Sequence, residues 1–431
     1  MKKNNEKPLI GFFPLTFNLA ETGRAILVAK RYVDMGGKAL FFSHGGTYEH
    51  LIKDFEFDFI RIKPIFNEET VKHIISVNRR EKKGVPYSVS FLREAVKEEI
   101  NVFKKSGVKL IVSFHNLASS ISARSAGIPL ICVTPAAGNF YMKIPDNYEN
   151  FFMRIIPQKI KVPVINYLFN HSKTFLAPFN IVAKEFNVKP FKSTISLGYG
   201  DKTLGTTFFN FINIFPKQQQ FPKQDYVGII LLEELFSDCF SKDDYVLTND
   251  KIQKHLESKQ KKVLFTMGSS GDKKLFLNVI KALAKVNCST IAVYANILKE
   301  DELPKNSDKL LLLKFVPSIK KLHELVDLSI IHGGQGTVYS AAYSGKPIIG
   351  IPMNPEQHLN LEKMVGHKTG LMISKKFFKE QTFINLIHTI FNNYNFYLKN
   401  AENLKIILPK PQGDKNAVKR IIEIIDELQV Q

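Results

Sequence analysis

The stretch SIIHGGQGTVYS, Ser329 to Ser340, ends an apolar run at Ile331 and continues with His332, Gly333, Gly334, Gln335, Gly336 and Thr337. Glycine lets a ligand approach the backbone closely, and a helix is expected to begin near Thr337. The first amides of a helix have no intrahelical acceptor, and its positive end favours an anion, so this turn suits a diphosphate. Backbone from Gly334 through Gln335 and Gly336 to Thr337 would form the cradle. His332 can donate from its ring, and Thr337 can cap the helix and donate its hydroxyl. Each charge-assisted bond of this kind contributes about 1.5–3 kcal/mol. The competing reading is a tight turn around a packed histidine.

Further on, SGKPIIGIPMNPEQHLNLEKMVGHKTG (Ser344–Gly370) predicts another strand, ending at Pro352, and a loop carrying Glu356, Gln357 and Asn360. An acid beside an amide offers acceptors and donors that match the hydroxyls of a sugar. A second His-Gly-Gly occurs at His44 in FFSHGGTYEH, but no Gly-Thr follows it. The expectation there is a turn, with no phosphate cradle. The first loop, GFFPLTFNLAETGR, lacks G-x-G-x-x-G, which argues against NAD or FAD on the first half. No D-x-D triplet presents a metal to a diphosphate, so neither metal nor cofactor is expected.

These residues need a scaffold that places them after strands. Short β-branched or aromatic runs (LIGFF, ALFFS, FDFIRI, KLIVSF, PLICV, then KVLFTM, TIAVYA, LLLLKF, LSIIHGG, PIIGIP, LMIS) alternate with amphipathic segments. That alternation predicts an α/β chain of parallel sheets wrapped by helices. With 431 residues, two doubly wound domains facing a cleft are expected. FPKQQQFPKQDYVG breaks both periodicities, giving a first domain over 1–224, a linker over 225–245 and a second domain over 246–431 that includes the terminal helix.

Lys and Arg number 60 against 40 Asp and Glu, a net +20 that favours phosphorylated small molecules, nucleic acid or an acidic membrane surface. The three cysteines lack metal-type spacing, consistent with a reducing, cytoplasmic setting. The opening MKKNNEKPLIGFFPLTFNLA imitates a signal peptide, but Pro8, Pro14 and Asn18 interrupt it, and a buried first strand is expected instead. Gly138–Phe179 interleaves aromatics with Lys143, Arg154 and Lys159, suggesting a hydrophobic pocket or peripheral contact with an anionic membrane.

Taken together, His332–Thr337, Gly345-Lys346-Pro347, Pro352, Glu356-Gln357 and Asn360 resemble the nucleotide-sugar glycosyltransferases of the two-Rossmann (GT-B) type. The likeness is greatest to the branch of UDP-glycosyltransferases and macrolide glycosyltransferases. The resemblance implies that His332 and Gly334–Thr337 hold the diphosphate of a UDP- or dTDP-sugar. It implies further that Ser269 or Ser270 borders the phosphates, that the loop at Val316 faces the base, and that Glu356 and Gln357 hold the sugar. The family carries a ribose-binding Glu three residues after the Thr, where this chain has Ser340. It also carries a catalytic His before the first helix and an Asp after the fourth strand. Here those places hold Glu21 and His115, so His115 is expected as the base and Glu21 as the group orienting it, with the reverse open.

The implied activity is inverting, metal-independent sugar transfer to a hydroxyl of a hydrophobic or lipid-like acceptor. A sugar-nucleotide epimerase or hydrolase, or a non-catalytic nucleotide-sugar-binding helper, are the alternatives. No nucleic-acid partner is expected.

Overall fold

The computed structural model describes residues 7–78, 81–135, 155–207, 225–235, 246–268 and 271–429. Two all-parallel sheets organise it. The first has the order β3-β2-β1-β4-β5-β6-β7, from β1 (Leu9–Pro14), β2 (Lys38–Ser43), β3 (Phe59–Arg61), β4 (Leu110–Phe114), β5 (Leu130–Thr134), β6 (Lys202–Gly205) and β7 (Asp225–Tyr226). The second has the order β10-β9-β8-β11-β12-β13, from β8 (Lys261–Thr266), β9 (Cys288–Val293), β10 (Leu310–Leu313), β11 (Leu328–Ile331), β12 (Ile348–Gly350) and β13 (Gly370–Met372). Central strands such as Leu110–Phe114 are buried along their whole length, as expected when helices cover both faces. Among the predicted strands every run finds its place. β6 had no distinct signal, being four residues with a single branched aliphatic side chain.

Helices used below are α1 (Leu19–Asp34), α2 (Val89–Ser106), α3 (Gln158–Asn170), α4 (Ile319–Leu325), α5 (Gln335–Ser344), α6 (Pro355–Gly366) and α7 (Gly413–Gln429). Asn18 caps α1 by accepting from Ala20 N, so the helix starts before the ETGR turn and Glu21 lies within its first turn. Asn354 caps α6 in the same way, with Pro355 at the helix start.

Strand order reverses between β1 and β4 in one sheet and between β8 and β11 in the other. Pro14 pairs with Phe114 there, and Thr266 with Ile331. Crevices open at such switch points, beyond the strand ends. Glu21 and His115 follow the first pair; Gly268 and His332 follow the second.

Two domain boundaries need correction. Residues 225–235 are no loose linker. β7 closes the first sheet, while Val227, Ile230 and Leu235 enter the first core and Ile229 and Leu231 the second. Alternation of apolar side chains lets one short segment be buried on both sides. The terminal helix α7 belongs to the first domain: Ala417, Val418 and Ile421 pack with Ile10, Phe12 and Ala25, and Arg31 Nε donates to Asp414 Oδ2 at 2.8 Å. A side chain at Gly413 would stand 2.3 Å from Gly228 O, so the returning chain can only touch the outgoing one through a glycine.

Candidate active site

At the second switch point, His332 is buried and its ring lies against two glycines. A Cβ at Gly334 would come 2.5 Å from Nε2, and one at Gly268 would come 2.6 Å from Cε1. Gly333 takes φ +94°, a conformation that favours glycine, and its carbonyl accepts from Asn360 Nδ2 at 3.1 Å. Asn360, expected near the sugar, thus pins the turn to α6. No side chain caps α5; Gly334 is its N-cap. Thr337, expected as the cap, is instead the third residue of the helix, because α5 begins two residues earlier than its polar sequence suggested. Around Gly336 a Cβ would meet nothing within 4 Å, so the approach to the helix end is open.

Other expected donor residues divide. Ser269 and Ser270 lie outside the described residues. Val316 is buried in a core with Leu322 and Val326, whereas Lys314 and Phe315 of that loop are exposed. Gln335 does not turn its side chain to the cradle: Nε2 donates to Thr206 O of the first domain at 2.6 Å. Gln357 accepts from Met353 N at 2.9 Å through Oε1, shaping its own loop. Ser340 donates to Glu233 Oε1 at 2.9 Å, and the same oxygen accepts from Lys320 N at 3.0 Å. Glu233 was missed by sequence reasoning. It brings to Ser340, from a segment 107 residues away, the carboxylate that this helix lacks.

Across the cleft, Glu21 is buried and its partner is Arg24, whose Nη2 donates to Oε1 at 3.3 Å. No hydrogen bond joins Glu21 to His115, so the expected orienting contact is absent. His115 is exposed, directly after β4, with φ +65°. Left-handed backbone at a non-glycine residue carries strain of about 1–3 kcal/mol. The two domains do converge. Burial pushes the Glu356 carboxyl above its usual range; His115 and Arg24 pull it down, Glu21 pushes it up and Lys363 opposes the rise. Burial also takes the Lys363 ammonium down to about 8 against the pull of Glu356. Acid, imidazole and guanidinium of the first domain therefore act on the acid at the head of α6.

In the first His-Gly-Gly the imidazole is buried and bonded within its own domain. His44 Nε2 stands 2.8 Å from Glu99 Oε1, and Nδ1 stands 3.1 and 3.0 Å from the carbonyls of Ile62 and Pro64.

Residues 249–421 match the glycosyltransferase family 28 C-terminal domain. A PGL/p-HBAD biosynthesis rhamnosyltransferase of Mycobacterium bovis is 23% identical over 312 residues, covering 68% of this chain and 63% of the relative's length. The spinosyn forosaminyltransferase SpnP superposes with a TM-score of 0.65 at 12% identity, over 97% of this chain and 99% of that one. The glycosyltransferase VinC, solved in complex with dTDP, does so with a TM-score of 0.63 at 13% identity, over 96% and 99%. With two parallel sheets whose switch points face one cleft, the chain has the GT-B fold of these solved glycosyltransferases, and its second domain matches the glycosyltransferase family 28 C-terminal domain.

Proposed function

We propose that the protein transfers a sugar from a UDP- or dTDP-sugar to a hydroxyl of a hydrophobic or lipid-like acceptor, with inversion and without a metal. The observation that carries this reading is the open head of α5, with His332 set against Gly268 and Gly334, opposite Glu21, Arg24 and His115. The donor diphosphate lies at the helix end. The acceptor oxygen attacks the anomeric carbon as the bond from that carbon to the diphosphate oxygen breaks, through an oxocarbenium-like state. A base on the first domain takes the acceptor proton. His332 and the helix end stabilise the negative charge that develops on the departing diphosphate, work that a divalent ion does in other enzymes.

The geometry favours Glu21 over His115 as the base. Its Oε1 is held by Arg24 and its Oε2 is buried with no partner among the described residues, whereas His115 stands on an exposed turn with no described residue bonded to its ring. Glu233, beside Ser340 and next to the base loop, supports recognition of ribose hydroxyls. Glu356 remains the group for the sugar.

Lipid-like acceptors fit the exterior of the first domain. Ile156, Ile160, Val164, Tyr167 and Leu168, along and just before α3, are exposed at helical spacing, with exposed Lys159 and Lys173 beside them. Such a face suits peripheral contact with an anionic membrane; the segment from 140 to 154 named with it lies outside the described residues. No described helix is long and apolar enough to cross a membrane.

The decisive experiment is a thermal-shift panel of UDP-, dTDP- and GDP-sugars followed by turnover with hydrophobic alcohols. Stabilisation by about 2.7 kcal/mol is expected at 100 times the dissociation constant. Product of inverted anomeric configuration, formed in chelator, supports the reading. Turnover of the donor alone, at the same rate with or without alcohol, would make the protein a hydrolase or epimerase. Binding without turnover for every alcohol would make it a helper protein.

A further inference from the structure

Arg24 belongs to no motif, yet it occupies the junction of the two domains. Its guanidinium is buried, and its three nitrogens reach three acceptors: Nη2 to Glu21 Oε1 at 3.3 Å, Nη1 to Thr206 Oγ1 at 3.4 Å and Nε to Ala20 O at 3.1 Å. Thr206, just beyond β6, is completely buried, and its carbonyl accepts from Gln335 Nε2 at 2.6 Å. A line of polar contacts therefore runs from Glu21 through Arg24 and Thr206 to Gln335, the first residue of α5. The remaining Glu21 oxygen is buried and has no hydrogen-bond partner among the described residues. A buried carboxylate oxygen left in that state is costly, and a donor hydroxyl from a substrate relieves the cost.

We propose that Arg24 is the positioning residue of the transfer cleft. It holds one oxygen of Glu21, leaves the other for the acceptor hydroxyl, and ties that carboxylate through Thr206 to the residue that opens the donor helix. This rests on the reading of Glu21 as the base. A guanidinium suits the task because its donors leave a rigid plane in fixed directions, so one side chain sets two partners at once; a lysine ammonium cannot. Register between acceptor base and donor cradle matters because misplacement by about 1 Å can cost on the order of 10²-fold in rate.

The test compares two acceptors with UDP-glucose or dTDP-rhamnose as donor. Octanol must lose its proton during attack, whereas 4-nitrophenol is largely ionised in slightly alkaline buffer and needs no base. Arg24→Gln is expected to lower octanol turnover by about 10²-fold, as loss of general-base catalysis does, with little change for 4-nitrophenol. UDP and dTDP affinity by calorimetry should stay within about twofold, since the charge-assisted contacts to the diphosphate come from His332 and α5. Arg24→Lys keeps the charge but not the fork, so it folds even where Arg24→Gln does not; its octanol loss should be about tenfold, with 4-nitrophenol again spared. Glu21→Gln with Arg24→Gln should be no slower than Glu21→Gln alone, because the two act as a unit. Equal losses with both acceptors, or losses that multiply in the double variant, would overturn the assignment. So would full octanol activity in Arg24→Gln when Glu21→Gln is inactive. Full octanol activity in Glu21→Gln is a different result, and it overturns the reading of the base itself.

Discussion

The turns at His44 and His332 share a tripeptide and a position after a parallel strand, yet the chain puts them to opposite uses. β2 sits between β1 and β3, away from the reversal in strand order, and His44 at its end is buried. His44 is spent there on Glu99, itself bonded by Ser122 of the neighbouring helix, and on two carbonyls. β11 adjoins β8 at the reversal, where connections leave in opposite directions and a crevice remains. His332 faces glycines there and an uncapped helix. Placement relative to the switch point, rather than the motif, separates the imidazole bonded within its domain from the one we propose for the donor.

The comparison breaks first on stability. His44→Ala leaves the buried Glu99 carboxylate without its imidazole, which should cost about 3–5 kcal/mol in urea unfolding while leaving UDP and dTDP affinity unchanged. A loss of diphosphate affinity in this variant would dissolve the distinction. Next in size is His332→Ala: removal of a charge-assisted bond of about 1.5–3 kcal/mol should weaken UDP or dTDP binding roughly 10- to 150-fold by calorimetry. A variant that binds as tightly as the parent would return His332 to the status of a packed core residue.

Gly334→Ala probes the same ring indirectly. Its Cβ would fall 2.5 Å from His332 Nε2, so the ring must move, and diphosphate affinity should drop by about tenfold. Gly336→Ala has no such neighbour and should bind within about twofold of the parent, the cost being limited to loss of open approach. Equal effects would mean that ring position is unimportant.

The least direct test of the comparison concerns a third histidine. His323 is completely buried against Ser329 Oγ at 2.7 Å, and burial takes its imidazole from the ordinary 6.5 down to about 3. The sign follows from proton counts: between those values the unfolded chain binds a proton that the folded chain excludes, so stability falls as pH drops through this window. His323→Asn should flatten that part of the stability curve without altering diphosphate affinity. An unchanged slope would show that His323 does not contribute to it.

Legibility followed the range of the interaction. The strand runs, the glycine turn at His332 and the helix start after it are local: each depends on a few consecutive residues whose backbone freedom and periodicity can be read directly. The fold class followed from their alternation. The errors lie where a side chain's partner is distant in sequence. The Gln335 side chain bonds to Thr206, 129 residues away, a contact that its place in the turn does not announce. Ser340 looked like a loss until Glu233 arrived beside it. Glu21 departs from this pattern: its partner is not the distant His115 but Arg24, one helical turn on within α1, because the helix begins earlier than its apolar pattern shows.

Sequence by itself therefore determined which elements form, in what order, and that a glycine-rich turn into a helix follows one of them. Tertiary structure alone decided which turn opens on a cleft, which acid stands opposite it, and that the last helix returns to the first domain through Arg31 and Asp414, 383 residues apart. Local conformation is set by steric and hydrogen-bonding choices within a few residues. The occupancy of a side chain is set by whatever packing brings beside it, and in two sheets joined by long crossovers that neighbour is rarely near in the chain.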